Sequence, residues 1–218
     1  TAVYAKKIEQ LLNNHLKDGG KVSFLTSTAG FAYRTKLDER YKILNSHFSK
    51  IIQHLKRKYK NNNFDYVKRV EKTINEENGS IHLHLHSLLF FGGDVPRETQ
   101  DEISFAFIMK WEEELRKKKI KVVRDGQDYQ SIECDEGISN YLAKTMALET
   151  TSSNTKSKGK GLNWFQFLES DTLFSEAKRE RIIREVLSVL QGKRLITFSQ
   201  GLNACHKQLE LEEDKENG

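Results

Sequence analysis

The sequence predicts an α+β fold, an antiparallel sheet of about five strands with helices packed on it, and three observations lead there. Short segments of period-two alternation are interleaved with two long segments whose apolar residues recur every three or four positions. A tight turn between Thr73 and Ser80 forces the strands it joins to run antiparallel. The elements follow in the order β, α, β, β, α, β with further helix beyond, unlike the strict alternation of a doubly wound parallel sheet.

The first strand is Lys21 to Thr28, with Val22, Phe24 and Thr26 on one face and Ser23, Leu25 and Ser27 on the other, and Ala29-Gly30 ends it. From Leu37 to Lys60, Leu37, Tyr41, Leu44, Phe48, Ile51, Ile52 and Leu55 mark an amphipathic helix. Lysines and Arg57 crowd its C-terminal end, where the helix dipole favours cations. Asn61 to Asn63 turn the chain into a second strand, Tyr66 to Thr73, and Glu76 to Gly79 form the loop to a third, Ser80 to Phe91. The third strand alternates at first, His82, His84 and His86 against Ile81, Leu83 and Leu85, and Gly92-Gly93 closes it.

Beyond Pro96 a second amphipathic helix runs from about Thr99 to Lys118, with Ile103, Phe107, Ile108, Trp111 and Leu115 inward. Ile120 to Arg124 and Tyr129 to Ile132 are short strands around Asp125-Gly126. Asp135 is placed to cap a third helix from Gly137 to about Leu148, which carries Tyr141 and Lys144 one turn apart. A helical segment from Trp164 to Leu190 and a strand from Arg194 to Ser199 come last. This order suggests helices gathered on one face of the sheet, close to the ferredoxin-like arrangement. Residues 1–149 are expected to form the core. Residues 150–161 then make a flexible basic linker, residues 162–208 complete the domain, and residues 209–218 form an acidic disordered tail.

The chain has 218 residues, and no apolar run approaches the ~20 residues of a membrane span, so a transmembrane helix is excluded. Cys134 and Cys205 lie far apart without a CxxC spacing. Neither a disulfide scaffold nor a cysteine zinc site is supported, and a reducing, cytoplasmic setting is expected. The start at Thr1, without methionine or signal-peptide pattern, points to a trimmed chain. The formal net charge is +5, but residues 209–218 hold five acids against Lys215. That leaves +9 on residues 1–208, a charge that attracts a polyanion such as nucleic acid.

Three alternating histidines place imidazoles about 6.6 Å apart on one strand face, a span in which two can share a metal ion. Glu71 lies across the hairpin and can add a carboxylate, giving a mixed nitrogen and oxygen site suited to Mn²⁺ or Mg²⁺. The plainer reading is an exposed strand face that happens to be histidine-rich. Spacing alone leaves open which two of the three would bind. Trp164 and Phe165, beside the basic run with Lys156, Lys158 and Lys160, are placed to stack on an unpaired base of bound DNA.

Several motifs, in order, resemble one family. Phe24-Leu25-Thr26-Ser27-Thr28 is similar to the first motif, FLTLT, of the HUH endonucleases, within them the Rep_1-like initiators of rolling-circle plasmid replication. Glu71-Lys72-Thr73 resembles the glutamate strand of that family, and His84-Leu85-His86 its His-hydrophobe-His motif, with His82 as an extra upstream histidine for metal or phosphate. Tyr141-Leu142-Ala143-Lys144 resembles the tyrosine motif YxxK, and Gly192-Lys193-Arg194 through Ser199-Gln200-Gly201-Leu202 the C-terminal GKR…SxGL stretch.

The resemblance, over roughly residues 21–206, implies a metal-dependent single-strand DNA nickase and joining enzyme acting through a 5′-phosphotyrosine. Tyr141 would be the nucleophile, Lys144 its activating cation, and His84, His86 and Glu71 the metal ligands. Single-stranded or hairpin origin DNA and host replication proteins, a helicase and a polymerase, would be its partners, with no membrane involved. Many members carry a water-activating glutamate four residues before the tyrosine. Gly137 stands there in this chain, and Glu136 is the nearest carboxylate. Two rival readings are an HUH transposase and a non-catalytic nucleic-acid-binding module on a ferredoxin-like sheet.

Overall fold

The computed structural model of the chain describes residues 2–132, 161–170 and 173–204. Seven strands of these residues form one antiparallel sheet: β1 (Lys21–Gly30), β2 (Phe64–Asn75), β3 (Ile81–Phe91), β4 (Lys121–Val122), β5 (Asp128–Ile132), β6 (Gly161–Asn163) and β7 (Ile196–Phe198). β4 and β5 share the outer edge of β1, and β6 and β7 share that of β2. The sheet is therefore five strands wide, with β3 central and the order β1–β3–β2 at its heart. This is the α+β fold with an antiparallel sheet that the element order predicts.

The β2–β3 hairpin is closed by side chain as well as backbone. The Asn75 side-chain oxygen accepts from the backbone N–H groups of Glu77 and Asn78, both at 3.0 Å. Gly79 then adopts φ +69°, a conformation that costs a side chain dearly. A Cβ there would also press on Lys178 and Ile182 of a helix packed over the turn.

Helices α2 (Leu37–Lys58) and α3 (Arg97–Lys117) lie on one face. Their apolar stripes, Leu44, Phe48 and Ile51 with Ile103, Phe107 and Trp111, meet Leu83, Leu85 and Leu89 of β3 in the main core. A buried polar contact sets the position of α3 along β1: Gln100 Nε2 donates to the Val22 carbonyl at 2.9 Å, and Ser104 Oγ donates to Ser23 Oγ at 2.9 Å.

The opposite face is not bare, which corrects the expectation of helices on one side only. Helix α1 (Ala2–Lys17) was not anticipated, although Ile8, Leu11, Leu12 and Leu16 follow helical spacing. These four pack on Val22, Phe24, Val67, Leu88 and Phe90 in a second core, joined by Phe198 and Leu202. His15 Nε2 donates to the Phe91 carbonyl at 2.8 Å and ties the end of α1 to β3. The second half of β3 is thus buried on both faces, and its run Ser87 to Phe91 loses the alternation seen before it.

The expected helix from Trp164 to Leu190 is two helices, α4 (Trp164–Glu169) and α5 (Glu176–Leu190). Asn163 caps α4 by accepting from Phe165 and Gln166 N–H, and the Gln166 side chain accepts from Asn163 N–H. At the other end Ser170 Oγ donates to the Phe167 carbonyl at 3.0 Å, and the backbone of Ser170 turns to φ −86°, ψ 91°. The proposed helix at residues 137–148, residues 150–160 of the expected linker and the tail at 209–218 lie outside the described residues, while Gly161, expected to end the linker, begins β6. No helix among the described residues is long and apolar enough to cross a membrane.

Two predictions concern stability. Leu12 is 1% exposed at the centre of the second core, so Leu12→Ala should cost about 2–5 kcal/mol in urea unfolding. His47 is fully buried edge-on to Trp111, and neither ring nitrogen has a hydrogen-bond partner among the described residues. Burial lowers its pKa; Glu114 opposes the shift, and Lys50 and Lys118 add to it. An imidazole depressed in the folded state leaves stability intact above the ordinary value of about 6.5 and removes it as pH falls below. Between about pH 7.5 and pH 5.5 the urea midpoint should therefore fall less in His47→Leu than in the unaltered chain. An equal fall would mean that His47 does not govern acid stability.

Candidate functional site

The pairing of β3 with both neighbours places the three histidines. His84 stands opposite Glu71 of β2 and Thr28 of β1, and His86 opposite Arg69 and Thr26. The strand alternation that buries Leu83 and Leu85 in the main core sends these histidines to the other face, beyond the part covered by α1. His86 Nε2 lies 2.9 Å from Glu71 Oε2, and its ring stacks parallel on Phe24 at 5.6 Å. The carboxylate only accepts, so Nε2 donates, and in the neutral ring Nδ1 accepts from the Thr26 hydroxyl at 3.3 Å. His84 is held at both nitrogens, by Thr28 Oγ1 at Nδ1 and Thr73 Oγ1 at Nε2, each at 3.1 Å.

Burial opposes ionisation of Glu71, but the hydrogen bond from His86 and the fields of His86 and Arg69 outweigh it and hold the carboxyl below its ordinary range. Burial, reinforced by His86, pushes the His84 imidazole down to about 4. His84 is therefore neutral near pH 7, the form in which an imidazole nitrogen offers a lone pair. As placed, His84 Nε2 turns to Thr73 and His86 Nε2 to Glu71. Among the described residues no three His, Cys, Asp or Glu side chains converge as a metal-holding group.

His82 stands apart from this pair. It is exposed, and its Nε2 lies 2.9 Å from the Ser80 hydroxyl. Tyr141, Lys144, Glu136, Lys156, Lys158 and Lys160 lie outside the described residues. The described elements that bracket them in the chain are β5, on the β1 side of the sheet, and β6, on the β2 side.

The whole chain, residues 1–218, matches the family described as replication protein, Rep_1. This chain belongs to the Rep_1 family. It is 28% identical over 195 residues to Protein rep of Lentilactobacillus hilgardii, covering 89% of this chain and 56% of that protein. Protein rep of Lactiplantibacillus plantarum is 26% identical over 202 residues, covering 91% of this chain and 58% of the relative. The chain thus spans a little over half the length of these relatives. No solved structure matches it.

In this Rep_1 chain two motifs acquire structural roles that spacing did not reveal. Of the first motif, Phe24 stacks on His86 while Thr26 and Thr28 hold the two imidazoles. The only sequence signal was that Phe24, Thr26 and Thr28 share a strand face. The C-terminal stretch supplies β7, which pairs with Val67 to Arg69, and Ser199, whose N–H donates to the Tyr66 carbonyl at 2.9 Å.

β6 and β7 cover β2 at its two ends, and between them Val70 N–H donates to the Leu195 carbonyl at 2.8 Å. A cavity of about 480 Å³ opens beside this edge, where the start of α1, β2, the start of α4 and residues 193–196 meet. Four cations line it, Arg69, Lys72, Lys193 and Arg194, with the rings of Tyr4 and Trp164 and the exposed Phe165. Lys72 Nζ sits 5.1 Å from the centroid of the Trp164 ring. A small adjoining cleft shares Arg69, Lys72 and Trp164 and reaches Glu71. Trp164, expected to stack on a base, therefore stands beside the glutamate of the histidine pair.

Proposed function

We propose that this chain is the nicking part of an initiator of rolling-circle plasmid replication, a single-strand DNA endonuclease and joining enzyme that works through Tyr141. The observation that carries the reading is the hydrogen bond between His86 and Glu71, which joins the two strands bearing the candidate ligands on the open part of one sheet face. Membership of a replication-protein family favours an initiator over a related transposase. Single-stranded or hairpin origin DNA and a host helicase and polymerase are the partners this reading calls for.

The donor set fits a hard divalent ion. His84, neutral near pH 7, and ionised Glu71 would hold Mn²⁺ or Mg²⁺ together with His86. When bound, the ion supplies positive charge to the non-bridging oxygens of the scissile phosphate. The threonine hydroxyls and the Phe24 ring fix the imidazoles from behind, as supporting groups around metal ligands do.

The Tyr141 hydroxyl gives up its proton and attacks phosphorus. The P–O3′ bond breaks, the phosphate remains on Tyr141 as a 5′-phosphotyrosine, and the released 3′-oxygen takes up a proton. Lys144, one turn further along the expected helix, favours the phenolate by its charge. The adduct conserves bond energy for rejoining, and Glu136 is the nearest candidate base for a water that would end the cycle.

Two outcomes test the reading. With single-stranded origin DNA, EDTA treatment, His84→Ala and His86→Ala should each slow adduct formation by about two orders of magnitude or more. Adduct formation at the unaltered rate in all three would remove the metal. Tyr141→Phe deletes one hydroxyl and little volume, so the chain should fold as before while the covalent band vanishes from a denaturing gel; an undiminished band would assign the nucleophile elsewhere.

A further inference from the structure

The cavity at the β2 edge combines positive charge with aromatic surface. Among the described residues four cations and three aromatic rings face a volume of about 480 Å³, in the size range of small-ligand sites, and no carboxylate lines it. Arg69 and Lys72 are partly buried there. Lys72 is drawn over the Trp164 ring. Arg69 stands two residues before Glu71 on the same strand face and opposite His86 in register.

We propose that this cavity receives one unstacked nucleotide of the DNA strand next to the scissile phosphate. Its base packs on the aromatic wall of Trp164 and Tyr4, and its phosphate lies on Arg69, Lys72 and Arg194. The inference rests on the nickase reading for the identity of the strand, and it adds to that reading a pocket that fixes which phosphate comes to the histidine pair. The small adjoining cleft leads from this cavity to the candidate ligand Glu71. A phosphate needs cations and a base needs a π-face, and a nucleotide presents both.

The test uses the full chain and single-stranded oligonucleotides that tile the origin, each carrying one abasic position. Removing the base at a single position beside the nick should weaken binding roughly 5- to 100-fold, and removal elsewhere by much less. In Trp164→Leu that position should lose its distinction, so that all abasic oligonucleotides bind alike. Because Trp164 also stacks on the buried Phe167, Arg194→Ala serves as the second variant, and it should weaken binding of the intact strand while keeping the unfolding midpoint.

A flat abasic scan in the unaltered chain would overturn the proposal. So would a flat scan accompanied by tight quenching of Trp164 fluorescence by free deoxynucleoside triphosphate, which would make the cavity a site for a free nucleotide. A flat scan with an intact Tyr141 adduct defeats the pocket alone, and a position-specific scan without any adduct defeats the nickase reading alone.

Discussion

Because strand side chains alternate with a period of two, a slip of β3 by one residue would turn Leu83 and Leu85 out of the core and drive His84 and His86 into it. Three contacts hold the register against that slip. The hairpin turn is locked by the Asn75 side chain and by Gly79 under α5, β1 pairs with β3 from Lys21 to Thr28, and His15 anchors the far end at Phe91. The same register that buries the leucines brings Glu71 beside the histidines. Stability and the candidate chemistry therefore rest on one alignment.

The difference between the two halves of β3 is equally consequential. Leu88 and Phe90 are sealed under α1, while His84 and His86 lie past its cover. Phe24 stands at the boundary, packed in the second core and stacked on His86. A hydrophobic contact thereby orients a polar group, and the hydroxyls of Thr26 and Thr28 extend the same strand face into the polar region.

What the sequence disclosed follows from how local each feature is. The three long strands, α2 and α3 were legible because each carries its own period, and the nearness of Glu71 to the histidines followed from the short hairpin, whereas its hydrogen bond to His86, diagonal to the register, did not. Helix α1 carries a legible stripe too, but its target is the polar-looking face of β1 and β3, which alternation alone marks as solvated. The break between α4 and α5 follows Ser170, whose hydroxyl donates to the Phe167 carbonyl, a local choice that composition does not decide. The cavity could not be read at all, since Tyr4, Lys72, Trp164 and Arg194 come from four separate segments. Tyr141 and the linker lysines rest on sequence alone.

The second core has a consequence for the order in which the chain assembles. The main core draws largely on residues 25–115, whose contacts close within neighbouring elements, with α5 added from further along. The second core joins Ile8, Leu11 and Leu12 to Phe198 and Leu202, so it closes only when both extremities of the described chain have arrived. Long-range closure of this kind carries the larger entropic cost. Phe24 belongs to that cluster, so the ring behind His86 is packed by residues drawn from both ends of the described chain. The support behind one candidate ligand is therefore complete only when residues near position 200 have joined those near position 10.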